Sequence, residues 1–164
     1  MDFTMNMEKT MSKIKNGAFL SVRSGTKVNT MTIGWGYMGI MWNKPYFMVL
    51  VRPHRYTNEL LENGEDFTVS IPFGSNLNKE LGICGTKSGR DIDKSEIVEF
   101  VPSKLTKSPV IKGCDMYYEC KIRFKQLMNG EEFPEDVKSA NYPQKDYHYM
   151  YFGEIIECYS NDEE

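Results

Sequence analysis

Four clusters in this chain carry residue types that could do chemistry. The first is Arg52-Pro53-His54-Arg55-Tyr56-Thr57, which ends an apolar run and opens a helix-like stretch, Asn58 to Asn63, closed by Gly64. A helix start offers unpaired N–H groups and a positive dipole end. Two arginines, a histidine and a hydroxyl make such a corner a candidate phosphate site. The same residues also suit an ordinary strand-to-helix corner whose arginines pair with surface carboxylates. The second cluster is the stretch from Gly85 to Lys94, with Ser88, Gly89, Arg90 and Lys94. It is glycine-rich, charged and without apolar periodicity, and a loop of that length in a compact domain is often functional. The third is Asn29-Thr30-Met31-Thr32-Ile33-Gly34-Trp35, where side chains and backbone along a strand edge could supply polar contacts and Trp35 a ring contact. The fourth is His148, whose ordinary pKa near 6.5 suits a proton or hydrogen-bond donor near neutral pH.

Each residue also has a plainer reading. Lys94 suits a solvated loop, Trp35 a core, and His148 a half-exposed strand. Cys84 fits a small buried residue better than a low-pKa redox thiol. Metal binding is not expected: His54 and His148 are the only histidines, and the four cysteines form no Cys-x-x-Cys pair.

The elements that must position these residues read mainly as β. Residues 1–16 form a partly helical leader carrying Met5, Met7, Met11 and Ile14. Residues 17–24 are a strand, and Gly25-Thr26-Lys27 turns it into a second beginning at Val28. Two strand-like segments, 29–36 and 45–52, are joined by a polar turn at residues 42–45. A helix over 57–63 and a strand over 66–71 follow. Ser75 can cap a helix over 76–84. A short strand fits 97–100. Two longer strands, 116–124 and 147–158, close the fold around an irregular excursion at 129–145 with Pro134 and Pro143. In the first of these, Met116, Tyr118, Cys120, Ile122 and Phe124 form the apolar face, and Glu119, Lys121 and Arg123 the other. Seven or so strands with two short helices imply an antiparallel barrel or sandwich.

The chain has 164 residues, 40% of them apolar and 26% charged, with net charge −3. That fits one soluble domain over residues 1–164. The charge does not favour nucleic acid, and neither a polybasic tract nor a long apolar run points to a membrane. With no signal-like N-terminus, reduced thiols in the cytoplasm are expected.

The four clusters, completed by His148-Tyr149-Met150-Tyr151-Phe152-Gly153-Glu154-Ile155, lie in the order found in the flavin reductase-like FMN-binding proteins. The chain resembles that family, and especially its flavoredoxin branch, over residues 15–157. His54 departs from the small residue common there, and the approach to His148 is short and tyrosine-rich. The resemblance implies a mainly β, antiparallel FMN-binding split β-barrel with short helices. It also implies a homodimer with FMN in a groove at or near the interface. The implied FMN contacts are Asn29, Thr30, Met31, Thr32, Trp35, Arg52, His54, Arg55, Thr57, Ser88, Gly89, Arg90, Lys94 and His148, with His148 also the candidate catalytic group. Three functions fit. One is an FMN-dependent oxidoreductase fed by NADH or NADPH. The second is a flavoredoxin-type carrier of tightly held FMN, serving a redox partner protein. The third is a non-catalytic flavin-binding module.

Overall fold

Short apolar stretches separated by polar turns pair into one antiparallel sheet. In the computed structural model, which describes residues 1–161, the strands are β1 Ala18–Ser24, β2 Lys27–Ile33, β3 Gly36–Met41, β4 Lys44–Val51, β5 Asp66–Ile71, β6 Phe100–Val101, β7 Val110–Ile111, β8 Met116–Leu127 and β9 Tyr149–Ser160. The helices are α1 Met7–Ile14, α2 Tyr56–Glu62, α3 Asn78–Thr86 and α4 Glu135–Asn141. Seven strands form one sheet in the order β2-β1-β5-β8-β9-β4-β3, and β6 pairs with β7. The expected mainly β architecture with short helices is what is observed. The ladder does not close into a continuous barrel: β2 and β3 are its edges. β2 comes close to β4 with no ladder between them, and this gap is where a groove opens.

The main core is built from inward residues of all the long strands, including Leu20, Phe47, Phe67, Tyr118 and Ile155. A second cluster, with Phe19, Leu81, Cys84 and Ile111, lies under α3. α1 is more than a leader. Its Thr10 is buried and hydrogen-bonded to the Tyr118 hydroxyl at 2.9 Å, and Ile14 joins the main core.

Several local readings change. Residues 36–41 form their own strand, and the hairpin to β4 turns at Trp42 and Asn43, both with positive φ. That is the two-residue turn that matches strand twist, made here without glycine. The region 129–145 is not irregular throughout: it contains a 3₁₀ turn at Gly130–Glu132 and α4. The short strand expected over 97–100 falls at β6 instead, and α3 starts after Leu77 with no side-chain cap from Ser75. A register shift at Arg123 leaves Phe124 40% exposed instead of in the apolar face of β8. On the opposite face Glu119 is wholly buried and accepts the backbone N–H groups of Lys104, Leu105 and Thr106 at 2.6–2.9 Å.

β9 runs between β8 and β4 at Gly153, where a Cβ would sit 2.5 Å from Cζ of Phe67, which reaches over from β5, and 2.6 Å from Cys120 Cβ. Neither neighbour is free to swing away. Gly153→Ala is therefore expected to cost about 1–3 kcal/mol by overpacking, read as a lower urea midpoint with unchanged slope.

Candidate functional site

Two adjoining cavities lie along β2 and share Met31 and Arg55. One, of about 170 Å³, is ringed by the start of α2 and the 86–94 loop. The other, of about 220 Å³, sits at the β2–β4 gap.

The first cavity is the charged end. Lys94 opens a 3₁₀ turn and is only 4% exposed. Its Nζ donates to the Thr30 carbonyl of β2 at 2.7 Å and to the Cys84 carbonyl of α3 at 3.0 Å. Arg55 donates to the next α3 carbonyl, Gly85, at 3.1 Å. The two cations thus occupy the C-terminal end of α3, where the last carbonyls lack helical partners and the dipole is negative. Among the described residues neither has a carboxylate within salt-bridge distance. Burial lowers the Lys94 pKa to about 8, a neighbouring Cys84 thiolate would oppose this, and Arg55 adds to the lowering. Burial also lowers that of Arg55. An ammonium has three donors, and two are used, so one remains for a ligand.

The rest of this wall is tightly fixed. Thr57 is buried, and its hydroxyl accepts from Asn29 Nδ2 at 2.9 Å. Gly89 lies against Asn29 and Tyr56 so closely that any Cβ there would collide with the Asn29 amide. Ser88 Oγ accepts the Arg90 backbone N–H at 3.1 Å. Arg90 braces the wall from outside, pairing with Glu59 at 3.1 Å and bonding the His54 carbonyl. His54 is exposed at the rim.

The second cavity is lined by Met31, Thr32, Ile33, Gly34, Trp35 and Leu50, with Arg52 and His148 at one side. Trp35 is half exposed and its ring centroid lies 5.3 Å from that of His148. His148 is 7% exposed, and its Nδ1 is 2.7 Å from the Tyr142 hydroxyl. Burial lowers its pKa to about 4, assisted by the Arg52 charge. At neutral pH the imidazole is therefore uncharged. It can give one hydrogen bond but has no ready acidic proton, which changes the expectation of a proton donor.

Most residues expected at the site do converge. Asn29, His54, Thr57, Ser88, Gly89, Arg90 and Lys94 line the charged cavity, and Thr32, Trp35, Arg52 and His148 the other, with Met31 and Arg55 in both. Arg52 is not in the phosphate corner. It pairs with Asp146 at 2.9 Å and bonds the Asn141 and Asp146 carbonyls. Pro53 and His54 separate it from Arg55; both arginines line the cavity at the β2–β4 gap, but only Arg55 also lines the charged one. Thr30 contributes only its carbonyl, because its hydroxyl faces inward to Ser21 and the Leu20 carbonyl. Thr32 likewise spends its hydroxyl on the Leu81 carbonyl at 2.6 Å. Lys94 and Thr57 are buried structural ties, not surface residues. Tyr142, Asp146 and Leu50 were not singled out in the sequence; only the tyrosine-rich approach to His148 hinted at the first.

The model of the flavin reductase like domain family matches residues 11–164. An uncharacterized protein of Archaeoglobus fulgidus is 30% identical over 115 residues, which cover 69% of this chain and 63% of that one. The chain spans less than two thirds of the length of the curated relatives it matches. Flavoredoxin from Methanosarcina acetivorans is 29% identical with a TM-score of 0.69, over 89% of this chain and 68% of its own. An FMN-binding protein from Thermus thermophilus has a TM-score of 0.72 at 20% identity, over 90% and 71% of the two chains.

The His148 environment sets a pH dependence. Its folded pKa, about 4, lies below the ordinary 6.5, so the unfolded chain binds the proton more readily between those values. Stability from this group is complete above pH 6.5 and lost as pH falls toward 4. Comparing wild type with His148→Gln by urea unfolding, the wild type should lose on the order of 2–3 kcal/mol more over that window.

Proposed function

Because the chain belongs to the flavin reductase-like family, we propose that it is an FMN-binding oxidoreductase. Family membership supports a flavin-linked redox role; the choice of FMN rests on the two cavities. The observation that carries it is the pair of partly buried cations, Arg55 and Lys94, with no carboxylate partner among the described residues. A buried charge is costly until it is paired, and a phosphate dianion supplies the missing charge. The groove then continues along β2 into the less charged cavity, whose width at the β2–β4 gap and apolar wall of Met31, Ile33 and Leu50 suit a flat ring. The absence of a side chain at Gly89 and at Gly85, where a Cβ would press within 3.2 Å of Thr32, lets the loop and α3 pack closely against β2. The residues present therefore fit flavin mononucleotide.

When bound, flavin supplies the hydride and electron chemistry. The chain's own residues bind and orient. Arg55, Lys94 and Ser88 hold the phosphate, and the β2 backbone from Met31 to Gly34 faces the ring. Trp35 packs beside it, and His148 offers a neutral hydrogen bond. No side chain need act as a nucleophile. NADH or NADPH is the proposed electron source for the oxidoreductase reading. A flavoredoxin-type role, with a protein partner supplying or taking electrons, is the second reading: of the two arginines lining the cavity near His148, Arg52 is tied to Asp146 and Arg55 is assigned to the phosphate. A non-catalytic module is the remaining case.

We also propose a homodimer in the cytoplasm. β3 is an unpaired edge beside the groove, and Tyr37, Ile40 and Trp42 are each more than 60% exposed along it. Edge strands without lysine or bulge invite pairing, and a second copy there would cover Trp35. The four thiols are buried and unbridged, in keeping with a reducing compartment.

Three measurements check this reading. Riboflavin should bind at least tenfold more weakly than FMN, since charge-assisted bonds contribute about 1.5–3 kcal/mol each; equal affinities would remove the phosphate assignment. Anaerobic addition of NADH and then NADPH to the yellow protein should bleach it if nicotinamide is the donor, whereas a flavoredoxin-type protein stays oxidised. Light scattering should give twice the monomer mass, falling to one with Tyr37→Glu and Trp42→Glu together.

A further inference from the structure

The segment from Gly130 to Asp146 ends on a set of contacts that the flavin reading does not use. Arg52, at the end of β4, reaches across to it with both terminal nitrogens: Nη2 to the Asn141 carbonyl at 2.9 Å, and Nη1 to Asp146 through carboxylate and carbonyl at 2.9 and 3.2 Å. Its guanidinium carbon lies 5.1 Å from the centre of the Tyr142 ring. Tyr142 is 5% exposed, packed between Phe133 and Tyr147. Its hydroxyl ends 2.7 Å from His148 Nδ1, and among the described residues the Met128 sulfur at 3.4 Å is its other hydrogen-bond neighbour.

We infer that Tyr142 is a positioning residue for His148, and that Arg52 acts through it by fastening the segment on which it sits. An O–H hydrogen-bonds an imidazole nitrogen far better than a thioether, a weak acceptor. The Tyr142 proton therefore goes to Nδ1, and the single proton of the neutral imidazole belongs on Nε2. Burial raises the Tyr142 pKa, so the phenol keeps its proton. Nε2 has no protein partner among the described residues, and His148 lines the cavity at the β2–β4 gap. What a ligand meets is thus a fixed N–H donor, suited to a carbonyl oxygen. The pyrimidine edge of a flavin carries such an oxygen, and so does a carbonyl compound bound beside it. The donor's partner rests on the flavin reading; its orientation does not.

Nitrogen-15 spectra of the apo protein test the orientation without any flavin. The two-bond proton–nitrogen pattern of His148 should be that of one tautomer, with the proton on Nε2. In Tyr142→Phe it should become an average of the two tautomers. Asp146→Asn keeps the hydroxyl but loosens the pin, and should broaden the same signals; it serves if Tyr142→Phe does not fold. A proton on Nδ1 in the wild type overturns the inference, and so does a pattern unchanged in both variants. The donor role has its own readout. Adding FMN should shift the Nε2–H resonance and bind about two- to tenfold more weakly to Tyr142→Phe, the loss expected for one hydrogen bond. A shift only when benzaldehyde is added to FMN-loaded protein assigns the oxygen to a second ligand. No shift from either overturns the donor role while leaving FMN binding itself intact.

Discussion

The structure depends on a cation placed where proteins seldom put one. Lys94 is buried, bonded to two main-chain carbonyls, and has no carboxylate within salt-bridge reach among the described residues. An ammonium out of water is costly, and the two carbonyls offset only part of that cost, as its lowered pKa reflects. Those carbonyls come from different elements, the edge strand β2 and the C-terminal end of α3. The bond pair therefore staples α3 onto the open edge of the sheet and fixes the loop between them. Arg55 repeats the arrangement one carbonyl further on. The same geometry that holds the wall together leaves positive charge uncompensated beside a cavity.

The other end of the groove is organised in the opposite way. Arg52 has its carboxylate, His148 is kept neutral, and Trp35, Leu50 and Ile33 supply apolar surface. One end thus awaits an anion, and the other has satisfied its charges before any ligand arrives. A molecule with a dianion at one end and a flat polar ring at the other matches both. Unequal roles for two arginines three residues apart follow from the chain's direction there: Arg52 ends a strand facing α4, and Arg55 precedes a helix facing α3.

Local patterning made much of this legible. The tight turn after β1, the alternation of β5 and the glycine-flanked loop before Lys94 were readable because each is set within a few residues. So was the grouping of Arg55, Thr57, Ser88 and Lys94, through motif order, although Arg52, expected with them, lies elsewhere. What was not readable is non-local or a matter of parity. The ion pair from Arg52 to Asp146 joins residues on β4 and just before β9. Thr30 lies between two groove residues on β2, so strand alternation turns its hydroxyl inward. The register shift at Arg123 exposes Phe124. The hairpin at Trp42 has its left-handed backbone in a residue that rarely adopts it. Tyr142 came into view only when α4 placed it against His148.

A phosphate dianion beside Lys94 would change the protonation of its ammonium, and that change is measurable. Titrating FMN into the apo protein near pH 9, in buffers of different ionisation enthalpy, measures protons exchanged on binding. With its pKa near 8 in the free protein, Lys94 is mostly neutral there, and an adjoining dianion should restore its charge. The prediction is uptake approaching one proton per FMN, absent with riboflavin and absent in Lys94→Met. Binding heats independent of buffer, or the same uptake in Lys94→Met, would contradict it.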